Sequence, residues 1–315
     1  MTDFLCIKNV YDCNLNCWFC STCGTGHIKE KDILRLWEKH KPREVLLIGG
    51  EPMILGRDYY LNLLESGVKF SMQTNLTLYD ESWNDVISHE NFTGISVSGD
   101  KESEKKFFER YNSLRRVLSY SPPVLIVLDG DYYYSLSKAK RWLSLAILEG
   151  FPLRVNYLQP LGRARKIVDK LPKVSEGFDV FFELIDMWKS YDYPELQPHS
   201  SIMEYIVYKK RSVCPFISFC CLSKSIVCVE VDLKEYPCPA LGDLKMDKRD
   251  VFVDLDEKCL CCDFYELCRG CYIRNWEVFI EEDTRYCSSA SRFFRKMESL
   301  KEDYERKFSS ICKAD

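Results

Sequence analysis

Three cysteines in the run Cys13-Asn14-Leu15-Asn16-Cys17-Trp18-Phe19-Cys20, spaced by three and two residues just after a short apolar stretch, constrain this chain more than any other feature. Thiols this close in sequence suit a metal. A structural zinc ion needs a fourth protein ligand to close its tetrahedron. An iron–sulfur cube held by three thiolates instead keeps one iron open to another molecule. The triad alone leaves both open, and the rest of the chain has to decide.

The cysteine distribution supports a cluster role. There are 17 cysteines among 315 residues; five precede residue 24, none falls between 24 and 213, and twelve follow from Cys214 onward. The sequence does not open with a basic stretch followed by a long apolar one, so a cytoplasmic protein is expected. Disulfides are disfavoured in that compartment. No window reaches the roughly 18 apolar residues of a membrane span. With 44 basic against 48 acidic residues and a formal charge of -4, neither nucleic acid nor membrane is expected as a partner. At 46% hydrophobic content the chain can bury one large domain, or one domain with a smaller module.

Between the cysteine-rich ends, short aliphatic runs alternate with segments of helical period. Strands are expected at Phe4 to Val10, Glu44 to Ile48, Phe70 to Gln73, Gly94 to Val97, Val124 to Leu128 and Leu153 to Leu158. Helical stripes between them include Ile33, Leu34, Leu36 and Trp37; Leu61, Leu63 and Leu64, stopped by Gly67; Phe107, Phe108, Tyr111, Leu114, Val117 and Leu118; and Leu136, Ala139, Leu143, Ala146 and Ile147, ended by Gly150. Six such units imply a parallel sheet with right-handed crossovers, curved or closed into a barrel. Chemistry in such folds sits at the carboxyl ends of the strands, and the cysteine triad falls there, after the first strand. Beyond residue 175 one helix is expected around Phe181 to Trp188, then short cysteine-dense segments, then a final amphipathic helix carrying Phe293, Phe294, Met297, Leu300 and Tyr304.

Cys13-x3-Cys17-x2-Cys20 in that position resembles the signature of the radical S-adenosylmethionine (radical SAM) enzymes. The resemblance implies that these three cysteines hold a [4Fe-4S] cluster whose open iron is chelated by SAM. Phe19 resembles the family's aromatic near the adenine, although a core aromatic beside strand one is an equal reading. Gly49-Gly50-Glu51-Pro52 at the end of strand two matches the family's GGEP motif, where glycines let backbone approach a ligand closely. Asn75 after strand three, Ser98 and Asp100 after strand four, and Gln159 in the segment Gln159-Pro160-Leu161-Gly162-Arg163-Ala164 lie where the family contacts SAM. Taken singly, each is also an ordinary loop residue.

The C-terminal cysteines resemble the SPASM extension with its two auxiliary [4Fe-4S] clusters. That resemblance implies Cys214, Cys220, Cys238 and Cys271 as ligands of the first, and Cys259, Cys262, Cys268 and Cys287 as ligands of the second. The chain departs from the pattern in several places. Cys220 and Cys221 are adjacent, so either can be the ligand; Cys261 is an extra thiol; the gap from Cys268 to Cys271 is one residue short; and Leu233 replaces the usual glycine. Only five residues separate Cys262 from Cys268, against about 12 to 20 between the pairs of zinc ribbons and fingers, which disfavours zinc. The fold class expected is α/β: a partial (β/α)6 TIM-like barrel with a cysteine-rich C-terminal iron–sulfur domain. Its parts are a barrel core over 1–175, a linking helical segment over 176–213, an auxiliary cluster domain over 214–290 and a C-terminal helix over 291–315.

The resemblance implies reductive cleavage of SAM to a 5′-deoxyadenosyl radical and cross-linking or oxidation of a ribosomally made peptide or a protein side chain. The partners implied are a peptide or protein substrate and an electron donor such as flavodoxin or ferredoxin; since strand one begins almost at Met1, leader binding is expected to use a separate leader-binding protein or another surface. The sulfatase-maturing branch is disfavoured, because Pro239 follows Cys238 where that branch resembles a Cys-Asp pair. A second reading is a radical SAM epimerase, dehydrogenase or decarboxylase acting on a peptide residue, sugar or nucleoside, with Cys221, Cys228 or Cys261 as hydrogen-atom donor. A third is a zinc-binding scaffold without enzymatic activity.

Overall fold

A computed structural model describes residues 4–22, 24–99, 101–158, 161–164, 166, 173–209, 226–236, 242, 261–268 and 283–308. The chain forms two compact units. The first draws on 1–125, 159–167 and 221–251, the second on 126–158, 168–220 and 252–315.

The first unit is built on a parallel sheet. Its strands are β1 (Phe4–Val10), β2 (Glu44–Gly49), β3 (Phe70–Thr74) and β4 (Phe92–Ser98), joined by the opening residues of β5 (Val124–Leu128). Two strands from much later in the chain, β8 (Ile226–Val229) and β9 (Glu235–Tyr236), complete the order β4-β3-β2-β1-β8-β9, with Val124 and Leu125 paired to β4. Ile7 faces Leu47, Leu46 faces Ser71 and Gln73 faces Ser96, all in parallel register. β8 runs parallel to β1 with Cys228 opposite Cys6, and β9 returns antiparallel. From Leu5 to Val10 every residue of β1 is buried, as befits a strand flanked by neighbours and covered on both faces. Two of those residues, Lys8 and Asn9, are polar and therefore need partners.

Helices α1 (Glu30–His40), α2 (Arg57–Glu65), α3 (Asn84–Ile87) and α4 (Glu104–Val117) connect these strands. Each buries the apolar stripe that its periodicity announces: Ile33 and Leu36 in α1, Leu63 and Leu64 in α2, and Phe107, Tyr111 and Leu114 in α4. The stripe reading also named Leu34, Trp37, Leu61, Phe108, Val117 and Leu118, which are only half-buried.

The second unit contains the rest of β5, then α5 (Tyr132–Glu149), β6 (Leu153–Tyr157), α6 (Val174–Ser190), β7 (Leu196–Gln197) and α7 (His199–Tyr208). After these come α8 (Tyr265–Cys268), α9 (Asp283–Glu298) and α10 (Lys301–Phe308). β6 pairs in parallel with β7. Its core is aromatic, with Phe178, Phe181, Trp188, Phe293 and Phe294 at most 1% exposed.

The α/β class and all six expected strands are present. β7, β8 and β9 were not anticipated, because segments of two to four residues carry no periodicity. The expected single C-terminal helix is two, α9 and α10, which divide around Ser299 and Leu300 between Phe293 and Tyr304.

Candidate active site

The cysteine loop begins where β1 ends and is fastened to β2 at once. Gly50 donates its N–H to the Val10 carbonyl at 2.7 Å and Glu51 to that of Asp12 at 2.9 Å. This approach requires glycine. Gly49 has φ +139°, and a Cβ there would stand 2.1 Å from the Val10 oxygen; a Cβ on Gly50 would stand 2.1 Å from the Asp12 oxygen. The far side of the loop returns through Gly26, whose carbonyl accepts from Tyr11 N at 2.9 Å and whose N–H donates to Asp12 Oδ2 at 3.0 Å.

Glu51 is fully buried. Its Oε1 accepts from Met53 N at 2.9 Å and Thr74 Oγ1 at 2.8 Å, and its Oε2 from Asn75 N at 2.6 Å. Burial raises its pKa, with the three donors pulling the other way. The side chain thus ties the turn Pro52–Leu55 to the end of β3, while the Pro52 carbonyl is taken by Tyr60 Oη at 2.6 Å.

Asn75 carries the fastening on to the thiols. Its Nδ2 donates to Asn14 Oδ1 at 3.0 Å and points at Cys13 Sγ at 3.8 Å, and Leu15 N lies 3.4 Å from the same sulfur. From the loop after β6, Arg163 closes the other side. Its backbone N donates to the Cys20 carbonyl at 3.0 Å, and its Nη1 donates to the Cys17 carbonyl at 3.2 Å and to Asn16 Oδ1. Gly162, at φ +55°, lets this loop lie where a Cβ would stand 2.3 Å from the Ser21 oxygen.

Cys13 is exposed, and Cys17 and Cys20 are half-buried. Burial is the largest influence raising the Cys13 and Cys20 thiols. Backbone donors at Leu15 and Thr22 work against it, and each thiol feels Cys17 as a neighbouring charge. Three thiols within electrostatic reach, with N–H groups aimed at sulfur, form a soft donor set suited to an iron–sulfur cluster. Among the described residues no three His, Cys, Asp or Glu side chains are gathered around a single ion position.

Phe19 stands edge-on to Trp18 with centroids 5.4 Å apart, and Lys101 Nζ lies 4.3 Å from its ring centroid. Ser98, half-buried, ends β4. Asp100 and Gln159 lie outside the described residues, as do Cys214, Cys220, Cys221, Cys238, Cys259 and Cys271. Cys261, Cys262 and Cys287 are exposed, and Cys268 ends α8. Cys228 is buried within β8.

Several residues of this neighbourhood were not anticipated as site residues: Asn14, Asn16, and a group formed by buried Lys8 and Glu230 with half-buried Tyr11; Gly162 and Arg163 were singled out only as part of the segment after strand six. Lys8 Nζ lies 2.8 Å from Glu230 Oε1, and Tyr11 Oη donates to Glu230 Oε2 at 2.6 Å. The available signal was a charged residue inside a mostly apolar strand.

No family model matches the chain. The cysteine-type anaerobic sulfatase-maturating enzyme of Clostridium perfringens is 24% identical over 346 aligned positions, covering 90% of this chain and 92% of that protein. Among solved structures, native anSMEcpe with bound AdoMet and Kp18Cys peptide superposes with a TM-score of 0.70 at 20% identity, covering 95% of this chain and 99% of that one. Streptococcus suis SuiB bound to precursor peptide SuiA gives a TM-score of 0.62 at 17% identity over 87% of this chain and 72% of that one. The expected resemblance to radical SAM maturases is borne out by the relative, and the expected fold class by both solved structures.

Proposed function

We propose that this chain is a radical SAM enzyme that modifies a side chain of a peptide or protein. The observation that carries this reading is the cysteine loop at the carboxyl end of β1, fastened by the glycines after β2, by Asn75 after β3 and by Arg163 after β6. Cys13, Cys17 and Cys20 would hold a [4Fe-4S] cluster, with SAM on its open iron. Bound and given one electron, that pair would supply reductive cleavage of the S–C5′ bond of SAM, with methionine leaving and a 5′-deoxyadenosyl radical left to take a hydrogen atom from the substrate.

The chain's own residues set the stage for this chemistry. Gly49 and Gly50 bring backbone, rather than side chains, up to the ligand position. Glu51 fixes the turn that presents them and leaves the contact itself to main-chain groups. Asn75 and Leu15 N–H groups direct hydrogen-bonding capacity at Cys13, which favours its thiolate. Arg163 holds the carbonyls of Cys17 and Cys20, and so sets the orientation of the loop that carries both ligands. Phe19 offers an aromatic face for the adenine, with Lys101 stacked on its ring.

The perfringens relative is by name a cysteine-type sulfatase-maturating enzyme, and anSMEcpe and SuiB were each solved with a peptide bound. These support a peptide as substrate class. The relative is by name of the sulfatase-maturating branch, which Pro239 after Cys238 disfavours, so the bond made is left to experiment. The C-terminal cysteines are assigned to two auxiliary clusters, with a flavodoxin- or ferredoxin-type electron donor, a separate leader-binding protein and a cytoplasmic setting. No helix among the described residues is long and apolar enough to cross a membrane.

Anaerobic reconstitution tests the reading. Roughly 8 to 12 iron atoms per chain are expected, at four per cube, together with 5′-deoxyadenosine released from SAM under reducing conditions. Replacement of Cys13, Cys17 and Cys20 by Ala should abolish that release. Zinc in place of iron, or SAM cleavage surviving in the triple variant, would end the proposal. A peptide panel that includes a sulfatase-type cysteine sequence, analysed by mass, then separates oxidation from cross-linking. Uptake of one solvent deuterium without net oxidation would point instead to epimerisation.

A further inference from the structure

We propose that Glu230 is a positioning residue for the cysteine loop, so that the cluster site takes its working shape only when the chain beyond residue 225 has docked on β1. The proposal rests on the functional reading above.

Glu230 follows β8 directly and is 5% exposed. Its two oxygens have separate duties. Oε1 meets Lys8 Nζ at 2.8 Å, where Lys8 is 4% exposed within β1, and Oε2 accepts from Tyr11 Oη at 2.6 Å. A lysine buried in a central strand is tolerated only with a counter-charge, and here the counter-charge comes from a residue more than two hundred positions away. The carboxylate is also closely roofed. A Cβ on Gly242 would lie 2.0 Å from Oε1, so this glycine allows backbone to approach the pair.

Tyr11 is the mechanical link. Its N–H is held by the Gly26 carbonyl, its ring lies against Gly24, where a Cβ would stand 2.8 Å from Cδ2, and the next residue, Asp12, accepts from Glu51 N and Gly26 N. Fixing the phenol therefore fixes both flanks of the loop that carries Cys13, Cys17 and Cys20. Glu230 touches none of the three thiols in this arrangement and acts through Tyr11 and Lys8. Its functional consequence is that the first cluster site and the strand leading into the C-terminal cysteines are assembled together.

Hydrogen exchange on the metal-free full chain tests this without reference to any cluster. In Glu230→Ala and Tyr11→Phe, the hydrogen-bonded amides that fasten the loop, those of Tyr11, Gly26, Gly50 and Glu51, should exchange at least about tenfold faster, the factor expected for losing one charge-assisted hydrogen bond. Amides of β2 and β3 should keep their wild-type rates. The double variant Lys8→Met with Glu230→Gln retains an acceptor for Tyr11 without burying a lone charge, and should return the loop to near wild-type exchange. Unchanged loop exchange in Glu230→Ala, or an equal rise throughout the sheet, overturns the proposal, because the second is what a merely structural role gives. In reconstituted protein the electron paramagnetic resonance signal of the reduced first cluster should broaden or shift in the single variants and recover in the double variant. Absence of any cluster in the wild type would remove the functional reading, while hydrogen exchange still decides the role of Glu230.

Discussion

At the scale of single residues, the glycine pair is the most sharply constrained feature. Gly50 has ordinary backbone angles, so its requirement is purely spatial: a Cβ would meet the Asp12 oxygen at 2.1 Å and the Tyr11 oxygen at 2.6 Å. Both obstacles are backbone, and both belong to the strand end that leads into the cysteine loop. Gly50→Ala is therefore expected to cost at least about 3 kcal/mol and to lose cluster loading. Gly67 is the comparison, with φ +86° and nothing within 4 Å of the added atom; Gly67→Ala should cost only the left-handed strain of about 1 to 2 kcal/mol. Urea midpoints of the two variants check the difference, and equal losses would show that the close approach is not what demands glycine at 50. The glycine and cysteine motifs were legible because each is a local spacing whose residue types have few other uses. Arg163 was not legible in the same way. It stood in a segment singled out for its position, yet its contact with Asn16 spans 147 residues, and a lone arginine in a loop does not announce a partner at that distance.

At the scale of elements, helices with one buried face were readable and the helix buried on several faces was not. In α7, His199 through Met203 and Ile206 are all buried, so there is no polar face to give the run a period. β8 escaped for a different reason: Ile226–Val229 is a four-residue apolar run, too short to show a period. α7 also holds the chain's clearest pH response. His199 is fully buried among Phe181, Trp188 and Phe293, and its Nε2 donates to the Phe181 carbonyl at 2.7 Å. Burial lowers its pKa from 6.5 to about 4. The native state thus keeps the imidazole neutral while the unfolded chain takes up a proton below about pH 6.5. Stability from this group is complete above that pH and falls as pH drops toward 4, by about 3 kcal/mol in all. Urea unfolding at pH 7, 5.5 and 4.5 should show the decline. His199→Gln, which keeps a donor for Phe181 but cannot ionise, should flatten it; an equally steep decline in that variant would assign the acid sensitivity to other groups.

At the scale of the whole molecule, the described residues expected to hold the first cluster and SAM all come from the first unit: the cysteine triad, Phe19, the glycine motif, Asn75 and Ser98. The second unit is held by an aromatic and apolar core that makes no use of them. That division gives a prediction about stability rather than activity. If the open iron is what receives SAM, the ligand has no complete site on the metal-free chain, and mass action can stabilise only the loaded form. At one hundred times its dissociation constant, a ligand that binds only the native state adds about 2.7 kcal/mol. Anaerobic calorimetry should therefore show SAM raising the unfolding temperature of the reconstituted enzyme and leaving that of the metal-free protein unmoved. The triple cysteine variant carried through the same reconstitution should behave like the metal-free protein, even if the C-terminal cysteines still take up iron. Should the two units unfold in separate steps, only the step belonging to the first unit should move, because every described residue expected to meet SAM belongs to that unit. A shift of equal size in the metal-free protein would mean that side chains and backbone alone form the SAM site, and the vacant coordination position would then lose its place in the account of binding.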